Sequence, residues 1–230
     1  MTNGSKNELV IVRHGQAHSN VAGVLAGPGC QGLTADGRAA ARAVADRIHS
    51  EGPMRTLVCS TTRRAMETAE IVSARTQVPV IGMRALRVAD PGSTEGTPWA
   101  RWRTMDAADR ARRGAESWSA YLERASTCLA ELMAGSPGRV VVVGHTETVF
   151  AAFALLLGTA DLGRLGIGVD YTAVTEFRVV GGKWQLFRYN DVNHIPAGIA
   201  RYPGARSSAS SIDDLAVGGH DVLGRAEQAR

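Results

Sequence analysis

Lysine is almost missing from this chain: Lys6 and Lys183 are the only two among 26 basic residues, so nearly all the positive charge is arginine. Guanidinium groups keep their charge at any working pH and grip oxyanions in a planar fork. Many of these arginines alternate with acids, as from Asp106 to Arg113, which is the pattern of a solvated helix face. No nucleic-acid recognition motif accompanies them, and no nucleic-acid partner is expected. The net charge of +4 still favours small anionic substrates. Cysteine is scarce too. Cys30, Cys59 and Cys128 are far apart and form no C-x-x-C pair, which excludes a zinc or disulfide framework and fits a reducing cytoplasm. Long apolar runs are also lacking. The most apolar stretch, Val140 to Leu157, is broken by His145, Thr146 and Glu147, so no membrane span is expected. Met1 to Lys6 is polar and lacks the apolar centre of a signal peptide. There is no internal repeat.

What is present fits one well-filled α/β domain: 230 residues, 44% apolar and 21% charged. Leu9 to Val12 is a β-branched run that stops at Arg13, the signature of a buried strand. Thr56 to Ser60 and Arg139 to Val143 read the same way, and Val78-Pro79-Val80 as a short strand or edge piece. Between them lie helical patterns: about 39–48 with Thr34 as N-cap, about 63–74, 117–133 and about 147–157. Thr172 to Val180 and Lys183 to Tyr189 flank Gly181-Gly182, a hairpin signal at a sheet edge. Strands alternating with helices predict a three-layer α/β/α domain over residues 7–202 with a mainly parallel central sheet. Residues 84–114 are polar and irregular, with Trp99 and Trp102, and read as a cap or substrate loop. After about Tyr202 the composition turns to Ser, Gly, Ala, Asp and Arg, and 203–230 reads as a flexible tail.

Ligands in such folds sit at the carboxyl ends of the strands. Three segments lie at or just past those ends: Arg13-His14-Gly15, Arg64 within Ser60 to Ala65, and Gly144-His145. They supply two imidazoles and two guanidiniums, groups suited to holding and attacking a phosphoryl centre.

In these residues the chain resembles the histidine phosphatase superfamily, in its phosphoglycerate mutase-like branch. Ile11-Val12-Arg13-His14-Gly15-Gln16 with Asn20 is similar to the family's opening motif. Ser60-Thr61-Thr62-Arg63-Arg64-Ala65 followed by Thr68-Ala69 is similar to its S-x-x-x-R-A-x-x-T-A segment. Val143-Gly144-His145 is similar to its second histidine, and Asn190 to Ile195 to its late segment. The resemblance implies a phosphoglycerate mutase-like fold, no metal and no cofactor. It implies His14 as a nucleophile that carries a transient phosphohistidine. Arg13 and Arg64 would grip the phosphate oxygens, with His145 as a further donor once phosphate is bound. The backbone N–H of Thr146 near a helix start could add an anion contact, and Gln16 and Asn20 polar substrate contacts. The expected activity is removal of phosphate from a small soluble metabolite. A phosphoglycerate-type mutase and a non-catalytic phosphate-binding or interaction domain are the alternatives. A homodimer is compatible with the sequence.

The chain departs from that pattern in one place. Leu86 to Gly96 fits the register of the segment in which the family supplies an acid to the leaving oxygen, but Val88 occupies the expected glutamate position. A valine transfers no proton. Glu147, two residues past His145 at a helix start, is the first candidate to replace it; Asp90 on the same loop is the second, and Glu95 the third. His18, His49, His194 and His220 have no comparable support and read as structural or exposed.

Overall fold

Valine, isoleucine and leucine at successive positions of the strands commit both faces of a sheet to burial. A computed structural model describes residues 7–135, 138–158 and 167–199. In it β1 (Glu8–Arg13), β2 (Thr56–Ser60), β3 (Val80–Met83), β4 (Arg139–Gly144), β5 (Val174–Val180) and β6 (Lys183–Asp191) form one sheet in the order β3-β2-β4-β1-β5-β6. The first four run parallel, while β5 is antiparallel to β1 and β6 to β5. The mainly parallel α/β architecture is therefore the one the sequence predicts.

The helices in chain order are α1 (His18–Ala22), α2 (Ala35–Ser50), α3 (Arg63–Thr76), α4 (Trp99–Arg103), α5 (Ala107–Arg112), α6 (Trp118–Gly135) and α7 (Thr146–Leu157). The period-2 alternation of strand side chains divides the core in two. Leu9, Ile11, Val140 and Val142 point to the layer of α6 and α7, where they meet Leu129, Val149 and Phe150. Val10, Val12, Val141 and Val143 point to the layer of α2 and α3, against Val44, Ile48, Ala69 and Val72. This double coverage fixes the register of β1 against β4, which pairs Arg13 with Gly144 and so places His14 and His145 one residue beyond adjacent strand ends.

Local signals act as predicted in most places. Thr34 caps α2 by accepting the Gly37 N–H at 3.0 Å. Gly181 and Gly182 both hold positive φ, 59° and 78°, as a tight hairpin turn needs. The segment 84–114 is more ordered than an irregular loop: it holds two single 3₁₀ turns (84–86 and 92–94) besides α4 and α5. It is laced to residues 23–29, through Leu25 N–H to Thr97 O at 2.9 Å and Trp99 N–H to Gly23 O at 2.9 Å. Among the described residues no helix is long and apolar enough to cross a membrane. The predicted tail 203–230, His220 and the Ser136-Pro137 portion of the turn before β4 lie outside the described residues.

Two arginines, Arg139 buried and Arg188 half-buried, are tied up in ion pairs at the opposite end of the sheet. Arg139, at the start of β4, reaches Glu51 at 2.7 Å, and Arg188 reaches Glu51 at 2.6 Å and Glu176 at 2.7 Å. These pairs fasten the antiparallel β5–β6 hairpin to α2 and to the parallel strands.

One close approach sets the position of the turn after β1. A Cβ built on Gly37 would lie 2.1 Å from the Gln16 carbonyl oxygen, and one on Gly15 would lie 2.5 Å from the Gly37 carbonyl oxygen. Both neighbours are backbone, which cannot rotate away. Gly37→Ala is therefore expected to lower stability by about 1–3 kcal/mol, the usual cost of overpacking. Urea unfolding would show it, and an unchanged midpoint with an unchanged slope would contradict the contact.

Candidate active site

The strand ends deliver His14, from the turn after β1, and His145, from the residue that precedes α7, to adjacent positions; their ring centroids are 5.1 Å apart in an edge-to-face arrangement. Arg64, on the first turn of α3, lies between them. Its Nε–H donates to His14 Nε2 at 3.0 Å, and its Nη2 faces His145 Nδ1 at 3.4 Å. Its Nη1 donates to the Ala26 carbonyl at 2.9 Å. An arginine nitrogen can only donate, so the ring nitrogens it meets must be acceptors. His14 therefore carries its proton on Nδ1, which donates to the Gly15 carbonyl at 2.7 Å. His145 carries its own on Nε2, facing Ser60 Oγ at 2.9 Å and Thr62 Oγ1 at 3.3 Å. Both imidazoles are neutral with assigned tautomers.

Electrostatics favours the same state. Burial drives the pKa of His14 well below its ordinary value, and the Arg64 and Arg13 charges push it further the same way. His145 is lowered first by burial, then by Arg64, Arg13 and Arg124. Arg64 is only 5% exposed and makes no ion pair with a carboxylate among the described residues. A buried cation without a counter-charge is costly, and an arriving anion would relieve that cost. Arg13 projects from the end of β1 into the same region, with its guanidinium 4.4 Å from the Tyr171 ring centroid and Nη1 donating to the Val169 carbonyl.

Threonine hydroxyls at or near the starts of α3 and α7 are turned to this site. Thr62 is the N-cap residue of α3 but makes no capping bond, because its Oγ1 faces His145 and Ser60. Thr148 accepts the backbone N–H of His145 at 3.0 Å. Thr68, one turn beyond Arg64, accepts the Gly15 N–H at 3.1 Å and donates to the Arg64 carbonyl at 2.8 Å. The three segments thus brace one another.

Four of the residues named from the sequence, Arg13, His14, Arg64 and His145, come together. The others divide. Thr146 and Glu147 form the first two positions of α7, directly after His145, and both are half-buried. The Glu147 carboxylate raises the pKa of the buried Tyr121 phenol, second only to burial itself. Asp90 is exposed, and its carboxylate accepts the Gly92 N–H at 2.8 Å, which makes it a turn residue. Glu95 accepts the N–H groups of Gly27 and Gly29 at 2.7 and 2.8 Å, and so holds the loop whose Ala26 carbonyl anchors Arg64. The Asn20 side-chain oxygen accepts the Ala17 N–H at 2.9 Å at the start of α1, and the Gln16 side-chain oxygen accepts from Thr34 at 2.8 Å. Both have structural partners where substrate contacts were expected. Arg63 is exposed and Arg64 buried, as the spacing predicts. Sequence reasoning missed Ser60 and Thr62, although both sit inside the segment that identifies Arg64, and it missed Tyr171, which no motif marks. Among the described residues no group of three or more His, Cys, Asp or Glu side chains is placed to hold a metal ion.

The family model for the histidine phosphatase superfamily (branch 1) matches residues 9–192. A glucosyl-3-phosphoglycerate phosphatase of Mycolicibacterium vanbaalenii is 32% identical over 65% of this chain and 74% of that protein. Phosphoglycerate mutase-like protein 4 of Arabidopsis thaliana is 28% identical over 82% of this chain and 86% of its own length. Among solved structures, YhfR of Bacillus stearothermophilus superposes with a TM-score of 0.72 at 26% identity, over 82% of this chain and 99% of that one.

The lowered imidazole values have a consequence for stability. The unfolded chain takes up protons on these rings near the ordinary histidine pKa, whereas the folded chain resists them. Their contribution is therefore complete above about pH 6.5 and is lost as the pH falls below it. Unfolding free energy measured from about pH 7 down to about pH 5 should decline, and the decline should shrink in a His14→Asn/His145→Asn variant. Identical slopes in the two proteins would contradict the neutral, buried pair.

Proposed function

The chain belongs to the histidine phosphatase superfamily, and on that premise we propose that it is a metal-independent phosphomonoesterase that removes phosphate from a small metabolite through a phosphohistidine on His14. The observation that carries this reading is the fixed tautomer of His14. Its N–H is held by the Gly15 carbonyl, and the opposite nitrogen presents a lone pair to the guanidinium of Arg64. A neutral imidazole with one nitrogen pinned is a competent nucleophile.

The geometry supports the following sequence of steps. The nonbridging phosphate oxygens take over the Arg64 N–H groups, which frees His14 Nε2, and they also draw on Arg13, His145 and the Thr146 N–H. The Nε2 lone pair attacks phosphorus as the ester P–O bond breaks, and the electron pair leaves on the alcohol oxygen. A proton from a carboxylic acid neutralises that oxygen. Water then attacks the phosphohistidine and gives its proton to the same carboxylate, which restores His14 and releases inorganic phosphate. The double negative charge of the phosphate offsets the local excess of cations and favours a protonated His145 in the complex. Glu147 is the acid in this reading. It starts the helix next to the phosphate-handling residues, whereas Asp90 and Glu95 are engaged by backbone N–H groups elsewhere.

The mutase-like name of one relative keeps phosphoryl transfer to a second hydroxyl as a distinct outcome to be tested. Incubation with p-nitrophenyl phosphate and a panel of alkyl and sugar phosphates, in EDTA, should release inorganic phosphate. Turnover should vanish in His14→Ala and fall by about 10²–10³-fold in Arg64→Ala, the usual loss for a positioned donor to transition-state charge. Glu147→Gln should slow alkyl esters by about 10²–10⁴-fold while sparing the aryl ester, whose leaving group needs little help. Equal rates in wild type and His14→Ala, or silence on every ester, would overturn the proposal.

A further inference from the structure

One segment that no motif marks grips the catalytic turn from behind. Residues 169–173 touch Arg13 and His14 at several points: Val169 O accepts from the Arg13 guanidinium, the Tyr171 ring lies beneath it, and Thr172 N–H reaches His14 O at 3.4 Å. Arg13 N–H donates to Ala173 O at 3.2 Å. Within that segment Thr172 is fully buried and holds φ at +57°. A β-branched residue rarely adopts that conformation and keeps it only when its surroundings impose it. Glycine would take the same φ without strain, so the hydroxyl is what threonine adds.

That hydroxyl ends a directional chain of hydrogen bonds. Arg47 is held by Asp191 at 2.5 Å and by Glu51 at 2.9 Å, and its Nη1 faces His194 Nδ1 at 3.1 Å. A guanidinium can only donate, so His194 Nδ1 accepts and its proton sits on Nε2. Nε2–H then donates to Thr172 Oγ1 at 3.2 Å, and Thr172 donates to the Tyr171 carbonyl at 2.7 Å. The sense of every bond is fixed by the permanent charge of Arg47. His194 is thus more than a residue left over at the end of the domain.

We propose that His194 is a positioning residue for phosphoryl transfer, holding Thr172 in its left-handed conformation so that Tyr171 and Val169 aim the Arg13 guanidinium at the phosphate. This rests on the phosphate-handling role of Arg13 and His14 proposed above. His194 does not touch the reacting atoms and acts through Thr172. Neutrality suits the role, since a protonated ring would turn a donor toward Arg47. Burial and the Arg47 charge lower His194 to about 4, against the opposing pull of Asp191 and Glu51.

The test combines orthovanadate affinity, which needs no turnover, with kcat/KM on p-nitrophenyl phosphate. His194→Ala should weaken vanadate binding and lower kcat/KM by about fivefold to tenfold, the scale of one hydrogen bond. His194→Gln, whose amide N–H can still reach Thr172, should restore most of both. In an Arg13→Ala background His194→Ala should have no further effect, because the two act through the same guanidinium. Thr172→Gly, which relieves the strain but removes the hydroxyl, should match His194→Ala and covers the case in which that variant fails to fold. Undiminished vanadate binding in folded His194→Ala or Thr172→Gly, or a full additive loss in the Arg13→Ala background, would overturn the positioning role alone. A wild type that binds no orthovanadate would overturn the phosphate-handling reading and this inference together.

Discussion

The hydrogen bond from His14 Nδ1 to the Gly15 carbonyl, 2.7 Å long, is the contact on which the site depends. It leaves Nε2 as an acceptor, and the Arg64 Nε–H confirms that assignment from the other side. Without it the ring could take the other tautomer, and Nε2 would hold a proton where the proposed phosphoryl transfer needs a lone pair. Burial keeps the ring neutral, and the surrounding cations reinforce the same choice. The cationic surroundings that lower the basicity of His14 are the ones that would attract an anionic substrate, so in the proposed mechanism one arrangement serves both ends.

The fold holds that contact in place by packing more than by polar bonds. β1 and β4 are adjacent, parallel and covered on both faces, so their ends can shift only at the expense of two hydrophobic layers. The glycine pair Gly15–Gly37 lets α2 lie directly against the turn that bears His14. The hydroxyls of Thr62, Thr68 and Thr148 then tie α3 and α7 to His145 and to Gly15, the residue after His14. At Thr62 this departs from the local rule that a threonine N-cap serves its own helix. Such departures from local preference are expected where function competes with stability.

Arg13, His14, Arg64 and His145 were legible in the sequence because each sits at a strand end or helix start that hydrophobic patterning locates, inside a motif of distinctive spacing. The parallel core and the hairpin were legible for the same reason, since periodicity reports burial directly. Side chains whose partners lie far along the chain were not. Glu95 pairs with Gly27, His194 with Arg47 and Thr172, and Arg13 with Val169, separations that no local pattern encodes. Gln16 and Asn20 belong to the recognisable motif, yet their side-chain oxygens serve Thr34 and Ala17, because a motif states which residues recur and not what each one touches. The order in 84–114 was hidden because short helices such as α4 and α5 are held by contacts to 23–29 and to each other's ends, with too few residues to show a period.

The most direct test of the account is to trap the covalent intermediate. Rapid acid-free quenching of the wild type during turnover of p-nitrophenyl phosphate, followed by peptide mass spectrometry, should find one phosphoryl group on His14, stable to alkali and lost in acid. The adduct should accumulate further in Glu147→Gln, where the step that activates water is slowed. A phosphoryl group on another residue, or undiminished turnover with no phosphoenzyme at any quench time, would contradict the account.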